Sequence, residues 1–161
     1  MDATFAIRVK EIDWTAYHTA YGRADRVADQ LSLLASPDRA KALQATHDLW
    51  CGLCHQHVQV ATAALPALPF ILEVLDGADQ ELTVEILDIL LGFALGTNRQ
   101  RSVAFQKACG RDVPLPEPEW VAGLRLRLLA QAPRWRKLAE DANEDIADFA
   151  RRILEELSAG M

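Results

Sequence analysis

Two cysteines and two histidines lie within seven residues of the sequence: Cys51, Cys54, His55 and His57. The stretch Cys51-Gly52-Leu53-Cys54-His55 matches the C-x-x-C-H pattern by which c-type cytochromes attach haem. Thiolates and imidazoles are also the ligands that zinc prefers in proteins. This cluster is therefore the part of the sequence whose residue types come nearest to metal or redox chemistry.

Each metal interpretation of the cluster has a physical difficulty. Covalent haem requires an export context and a second axial ligand, yet the first residues contain no apolar core of signal-peptide length, and the only methionines are Met1 and Met161. Four zinc ligands within seven residues have little reach to form a tetrahedron. We favour a third interpretation, in which Cys51 and Cys54 pack as small apolar side chains and His55 caps or bridges the turn between two helices. The sequence therefore predicts no cofactor, and Cys51, Cys54, His55 and His57 remain the only candidate metal ligands.

Length and composition indicate one ordinary globular domain over residues 1–161. Half of the residues are hydrophobic, a quarter are charged, and the net charge is −6. An odd number of cysteines argues against a disulfide framework. No apolar run approaches the ~18 residues of a membrane-spanning helix. We therefore expect a cytoplasmic protein without membrane contact.

Apolar residues recur at intervals of three and four along most of the chain, which predicts an all-α fold. The exception is the alternation of Phe5, Ile7 and Val9, which predicts a short extended arm within residues 1–13. Ser36-Pro37 and Asp79 are predicted helix starts, Gly96 a stop, and Asn143 a further N-cap. The predicted helices cover approximately residues 14–20, 24–35, 36–50, 58–75, 79–95, 119–131, 133–141 and 143–158.

Three segments of the sequence align as internal repeats: 34–50, 75–91 and 138–154. Each begins with a leucine, continues through a short turn and enters a helix with an apolar face. Leu34 and Leu75 are 41 residues apart, within the ~40–47 residue period of HEAT and armadillo repeats. The third segment follows after the same interval plus a predicted insertion loop, residues 97–118.

The predicted helix 79–95 is apolar on nearly every side, so it must be covered on both flanks. A middle helix of a solenoid meets this requirement, and a central helix of an irregular bundle is the alternative. We expect an α-α superhelix of about three HEAT-like repeats.

The first half of the chain also resembles a group of small bacterial HEAT-like repeat proteins. The resemblance rests on Ala20-Tyr21-Gly22, Trp50, His55-Gln56, Ala61-Thr62 and Pro69-Phe70-Ile71, and it covers about residues 14–75. His57 departs from the pattern, in which glycine is usual at that position. The resemblance implies an α-α superhelix and a protein that acts by binding other proteins, without enzymatic activity.

Charges are distributed in blocks along the chain. Residues 42–98 contain no lysine or arginine but seven acidic residues, whereas residues 99–137 contain nine basic and three acidic residues. Glu81, Glu85 and Asp88 recur at helical spacing, and Arg99 and Arg101 begin the basic block. These five are the candidate partner-binding residues, because opposed charges steer a partner on encounter; a simply solvated charged face is the alternative.

Three classes of function follow from these patterns. The favoured class is a non-enzymatic protein-binding module, either a general scaffold or an immunity protein that neutralises a basic toxin or effector. The alternative is nucleic-acid binding through the basic region 99–137. The sequence contains no G-x-S-x-G, P-loop, H-E-x-x-H or dinucleotide fingerprint, so an enzyme is the least favoured class.

Overall fold

The computed structural model of the protein describes residues 3–159. Most of that range is helical, which confirms the all-α prediction. A short antiparallel hairpin pairs β1 (His18–Thr19) with β2 (Gly22–Arg23). The described helices are α1 Ala3–Lys10, α2 Val27–Leu34, α3 Arg39–Cys54, α4 Ala64–Leu75, α5 Gln80–Gly96, α6 Arg99–Ala108, α7 Glu119–Ala130, α8 Ala132–Leu138 and α9 Glu144–Ser158, with 3₁₀ turns at Trp14–Ala16 and His55–His57.

Side-chain caps fix where the three helices of the aligned segments begin. The carboxylate of Asp79 accepts a hydrogen bond from the backbone N–H of Leu82, and the Asn143 side chain accepts from Asp145 and Ile146, as predicted. The predicted start at Ser36-Pro37 is wrong, because Asp38 is the N-cap of α3. The Ser36 hydroxyl instead accepts from the backbone N–H of Asp38, in the turn that precedes the helix.

Helices α3, α5 and α9 lie side by side, with α5 in the middle. Their first residues meet at one edge: Arg39 forms an ion pair with Asp79 at 3.2 Å, and the Asn143 amide donates to the Gln80 side chain at 3.4 Å. Helix α2 packs on α3, α4 on α5, and α8 on α9. The three segments that align in the sequence are therefore neighbours in space.

The core is centred on α5. Leu49, Leu90 and Ile153, which occupy equivalent positions in the three aligned segments, have no exposed surface and belong to one hydrophobic cluster. Helix α5 is contacted by α3, α4, α7 and α9, which explains why it can be apolar on nearly all sides. Its fully buried side chains are Ile86, Leu87, Ile89, Leu90, Leu91, Phe93 and Ala94.

The N-terminal segment differs from its prediction. Residues 3–10 form helix α1 instead of an extended arm. Phe5 and Val9 are one helical turn apart and both buried, with Phe5 edge-on to Phe70 at 5.6 Å between ring centroids, whereas Ile7 is 57% exposed. An alternation of only three apolar residues is compatible with a strand or a helix. In the fold, packing of this segment against α2 favours the helix. Residues 1–2 of the predicted arm lie outside the described range.

Two other predicted segments also differ. The predicted insertion loop 97–118 contains helix α6, which Asn98 caps by accepting from Gln100 and Arg101; only residues 109–118 connect α6 to α7 without regular structure. The predicted helix 14–20 is a 3₁₀ turn followed by the β1–β2 hairpin. Within residues 3–159, no helix is long and apolar enough to cross a bilayer.

Candidate functional site

The acidic side chains of α5 line a groove at the edge where α3, α5 and α9 begin. Glu81 and Glu85 lie one turn apart on the exposed side of α5, and both are exposed. The groove has a volume of about 500 Å³. It is lined by Arg39, Asp79, Gln80, Glu81, Val84, Glu85, Asn143 and Asp145, a set we call the acidic groove. Arg39 is its only cation.

The charges of the acidic groove are only partly compensated. Arg39 forms ion pairs with both Asp79 and Glu81. Partial burial raises the pKa of Glu85 above its ordinary value, and the neighbouring carboxylates of Asp88 and Glu81 raise it further, against the opposing effect of His47. Within residues 3–159, neither Glu85 nor Asp145 has an ion-pair partner. A cation placed here would stabilise the ionised form of Glu85.

Asp88, the third acidic candidate, is bonded within the protein. Nε2 of His57 lies 2.8 Å from Oδ1 of Asp88 and 2.9 Å from its carbonyl oxygen. The hydrogen bond to the Asp88 side chain raises the pKa of His57 above its ordinary value, while burial and Arg152 oppose that rise. Because the Asp88 side chain is 28% exposed and already paired, Glu85 is better placed than Asp88 to meet a partner.

The turn that carries His57 has an unusual backbone. His55, Gln56 and His57 all have positive φ, at 42°, 54° and 70°. This conformation costs roughly 1–2 kcal/mol for each residue other than glycine. Glycine at the position of His57 would adopt such a φ without that cost. The turn is held by the bond from His57 to Asp88 and by the backbone bond from Ala61 N–H to the Leu53 carbonyl at 2.8 Å.

The turn lies directly against α5 at Gly92. A Cβ added to Gly92 would lie 2.5 Å from Sγ of Cys54 and 2.9 Å from Cδ2 of His57. Glycine is therefore required for the close approach of the turn to the helix. The same contact buries Gly92, so the turn covers the side of α5 that carries Asp88 and Gly92.

The four candidate metal ligands each contact something other than a shared centre. Cys54 is buried and donates to the Trp50 carbonyl at 3.2 Å, and burial raises the pKa of its thiol to about 12. Sγ of Cys51 lies 3.7 Å from Nε2 of His47, and the His55 ring packs edge-on to Tyr21. Across residues 3–159, no three His, Cys, Asp or Glu side chains are placed to hold a metal ion together.

Arg99 and Arg101 lie away from the acidic groove, at the other end of α5. Arg99 donates to the Leu115 carbonyl at 2.6 Å, which ties α6 to the connection that follows it. Arg101 forms an ion pair with Glu156 of α9. The five candidate partner-binding residues therefore do not form one site: Glu81 and Glu85 belong to the acidic groove, and the two arginines do not.

The basic region 99–137 uses several cations for internal bonds. Arg125 donates to four carbonyl oxygens at the C-terminal ends of α5 and α9, those of Thr97, Glu156, Leu157 and Ala159. Arg134 forms an ion pair with Asp76 at the end of α4. Arg101, Arg125 and Arg134 thus act as bridges between helices, which their position in the sequence did not reveal.

A second groove was missed at the sequence level. It lies between the His55–His57 turn, the end of α5, and helices α6, α7 and α9, and its volume is about 620 Å³. The available signal was Phe105, the largest apolar residue in the mostly polar α6 sequence.

No protein-family model matches the chain, and neither a curated protein nor a solved structure shows significant similarity to it.

Proposed function

We propose that the protein is a non-enzymatic binding module that captures a basic partner protein in the acidic groove. The observation that carries this proposal is a pair of groove carboxylates on two adjacent helices, Glu85 and Asp145, for which the described residues provide no ion-pair partner. It costs free energy to keep Glu85 ionised beside Glu81 and Asp88. A lysine or arginine of the partner that binds in the groove offsets this cost. Such a groove accelerates encounter with a basic surface and excludes an acidic one.

The helix arrangement supports a HEAT-like α-α superhelix as the scaffold. The pairs α2/α3, α4/α5 and α8/α9 each pack together, and the second helices of the pairs are neighbours that begin at a common edge. Solenoids of this type present the exposed sides of successive helices as one continuous binding surface. The acidic groove, which draws residues from α3, α5 and α9, would be part of that surface.

The buried cysteine beside the turn also favours binding over catalysis. The Cys54 thiol is buried with a pKa of about 12, far from the thiolate that nucleophilic catalysis needs. Within the class of binding proteins, an immunity or inhibitor protein that neutralises a basic toxin or effector fits an acidic capture surface. A general scaffold role uses the same groove.

The first experiment co-expresses the protein with the product of the neighbouring gene. If this is an immunity protein, that product inhibits growth when expressed alone, and co-expression restores growth and yields a complex. The double variant Glu85→Lys/Asp145→Lys is expected to lose the complex and the protection. Both positions are exposed and have no ion pair within residues 3–159, so we expect the helices to remain folded, which circular dichroism checks.

The matched control is Glu11→Lys/Asp29→Lys, which makes the same charge change at exposed carboxylates outside the groove. It is expected to bind as the wild type does. Equal binding by both double variants would remove the acidic groove from the proposal. A neighbour product that binds without toxicity would support a scaffold, and one that neither binds nor inhibits growth would refute the immunity role.

A further inference from the structure

The second groove combines cations with exposed apolar side chains. Its walls include His57, Val58, Arg101, Phe105, Trp120 and Arg152, and we call it the basic groove. No aspartate or glutamate is among the residues that line it. The protein has a net charge of −6, whereas the charged side chains that line this groove are all basic. The local charge of the groove is therefore opposite in sign to the charge of the whole protein.

The basic side chains of this groove differ in whether a carboxylate of the protein already pairs with them. His57 is held by Asp88, and Arg101 by Glu156. The Arg152 guanidinium lies over the Phe149 ring at 5.9 Å, but within residues 3–159 it has no ion-pair partner. Arg152 also lies close enough to His57 to oppose the rise of its pKa, so when His57 is protonated two positive charges face the same space. An anion between them relieves this repulsion.

The apolar part of the groove is exposed to solvent. Val58 is 65% exposed and Phe105 64% exposed, and both line the groove beside the partly buried Trp120. Large apolar side chains that cluster at the surface indicate an interaction site. The ligand that matches the whole groove therefore has apolar and negatively charged groups side by side.

We propose that the basic groove binds an acidic peptide segment of a partner protein, with a carboxylate at Arg152 and an aliphatic or aromatic side chain against Phe105 and Val58. A peptide suits the groove because its volume of about 620 Å³ accommodates several side chains. Nucleic acid suits it less, because Arg101 is neutralised by Glu156, which leaves few cations in the groove for a run of phosphates.

This site is separate from the acidic groove. Glu81 and Gly96 lie at opposite ends of α5, and fifteen residues of α-helix span roughly 22 Å. The two grooves thus present opposite charges at the two ends of one helix. The proposal for the basic groove does not depend on the proposed capture of a basic partner, and it is testable without that partner.

The test uses fluorescence anisotropy of a labelled ten-residue peptide in which glutamate alternates with phenylalanine and leucine. Binding by the wild type is expected, with a dissociation constant that rises with salt. Arg152→Glu is expected to weaken binding at least about tenfold, and Phe105→Ala about fivefold. Phe105 is mostly exposed, so Phe105→Ala removes no buried contact. Arg152 has no ion pair within residues 3–159, so Arg152→Glu breaks none. Circular dichroism verifies that both variants are folded.

The control is Arg151→Glu, the same charge change one residue away, outside the groove, which also removes the 3.5 Å ion pair between Arg151 and Glu144. It is expected to leave affinity within about twofold of wild type. The proposal is overturned if Arg151→Glu weakens binding as much as Arg152→Glu, or if a peptide with glutamine in place of glutamate binds equally well. If a single-stranded oligonucleotide displaces the labelled peptide at a lower concentration than the unlabelled peptide does, the groove is assigned to nucleic acid. Glu85→Lys/Asp145→Lys is expected not to weaken peptide binding, which separates this test from that of the acidic groove.

Discussion

Nε2 of His57 lies 2.8 Å from Oδ1 of Asp88 and fixes the left-handed turn after α3 to the middle of α5. The two residues are 31 positions apart: His57 lies in the turn between α3 and α4, and Asp88 lies in α5. Their bond holds one side of the basic groove in place and pairs the Asp88 carboxylate within the protein.

The His57–Asp88 pair makes part of the stability pH-dependent. Asp88 raises the pKa of His57 above 6.5, with Arg152 and burial opposing. The charged pair therefore stabilises the fold fully below 6.5, and this contribution is lost as pH rises through the raised pKa of the folded state. We expect Asp88→Asn to lower the free energy of unfolding by about 1 kcal/mol at pH 6, and by less at pH 9.

Urea unfolding of wild type and variant at pH 6, 7, 8 and 9 measures this difference. His18→Gln, at an exposed histidine without an ion pair in the described chain, serves as the control and is expected to show no such trend. A gap between wild type and Asp88→Asn that stays constant or widens toward pH 9 would contradict the assignment.

The strain of the turn is testable at Gln56. Its side chain is exposed and its φ is 54°, so Gln56→Gly changes backbone energetics with little loss of contact. We expect the free energy of unfolding to rise by up to about 1 kcal/mol, because relief of the left-handed strain exceeds the entropy that glycine adds to the unfolded chain. Gln59→Gly, at an exposed position of the same loop without a positive φ, is expected to lower stability instead. Equal effects of the two substitutions would mean that the turn is not strained.

The repeat pattern predicted the helices that form the centre of the fold, because burial on both flanks leaves a sequence signal. Leu49, Leu90 and Ile153 aligned in the sequence and are all buried in one cluster. The turn at 55–57 could not be predicted in this way. Its conformation depends on Asp88 and Gly92, which lie more than thirty residues later, and histidine is only a weak local indication of a positive φ. The interpretation of Cys54 as a small apolar side chain agrees with its burial.

The sites were harder to predict than the helices. Helical spacing placed Glu81 and Glu85 on one exposed line, but a partner across the chain such as Arg39 or His57 has no sequence signature. The basic block is continuous in the sequence, whereas packing distributes it among helix ends and the basic groove. Arg152 lies in residues 138–161, where seven acidic residues outnumber two basic ones, so the sequence gives no sign of its place in a basic groove.

Gly92 tests the contact between the turn and α5. In Gly92→Ala the new Cβ meets Sγ and Cβ of Cys54 at 2.5 and 2.8 Å, inside the buried part of the turn. We expect stability to fall by about 1–3 kcal/mol, as is usual for overpacking a rigid site. Gly123→Ala on α7 is the matched control, since its Cβ meets nothing within 4 Å. That variant is expected to gain about 0.5–1 kcal/mol from helix propensity. Thermal unfolding of the pair settles the point, and two variants of equal stability would contradict it.

Arg125 is predicted to be a structural arginine that joins the ends of two helices. It donates to the carbonyls of Leu157 at 2.7 Å and Ala159 at 2.8 Å, and also to those of Thr97 and Glu156, where the helix dipoles favour a cation. Arg125→Met is expected to cost about 2 kcal/mol of stability, measured by chemical denaturation. Arg127→Met, at an exposed position of the same helix, is the control and is expected to change stability by less than about 0.5 kcal/mol. If both variants lose the same amount, Arg125 does not join the helices.

The three cysteines are predicted to react with alkylating reagents in order of exposure. Cys109 is exposed, Cys51 is partly exposed, and Cys54 is buried with a thiol pKa of about 12. With iodoacetamide at pH 8, mass spectrometry should show labelling of Cys109 first and Cys51 more slowly, with Cys54 modified only after unfolding in urea. Cys109→Ser, as a control, should lose the fast phase alone. Rapid labelling of Cys54 in the folded protein would contradict its burial, and joint protection of Cys51 and Cys54 by micromolar zinc would favour the metal interpretation over packing.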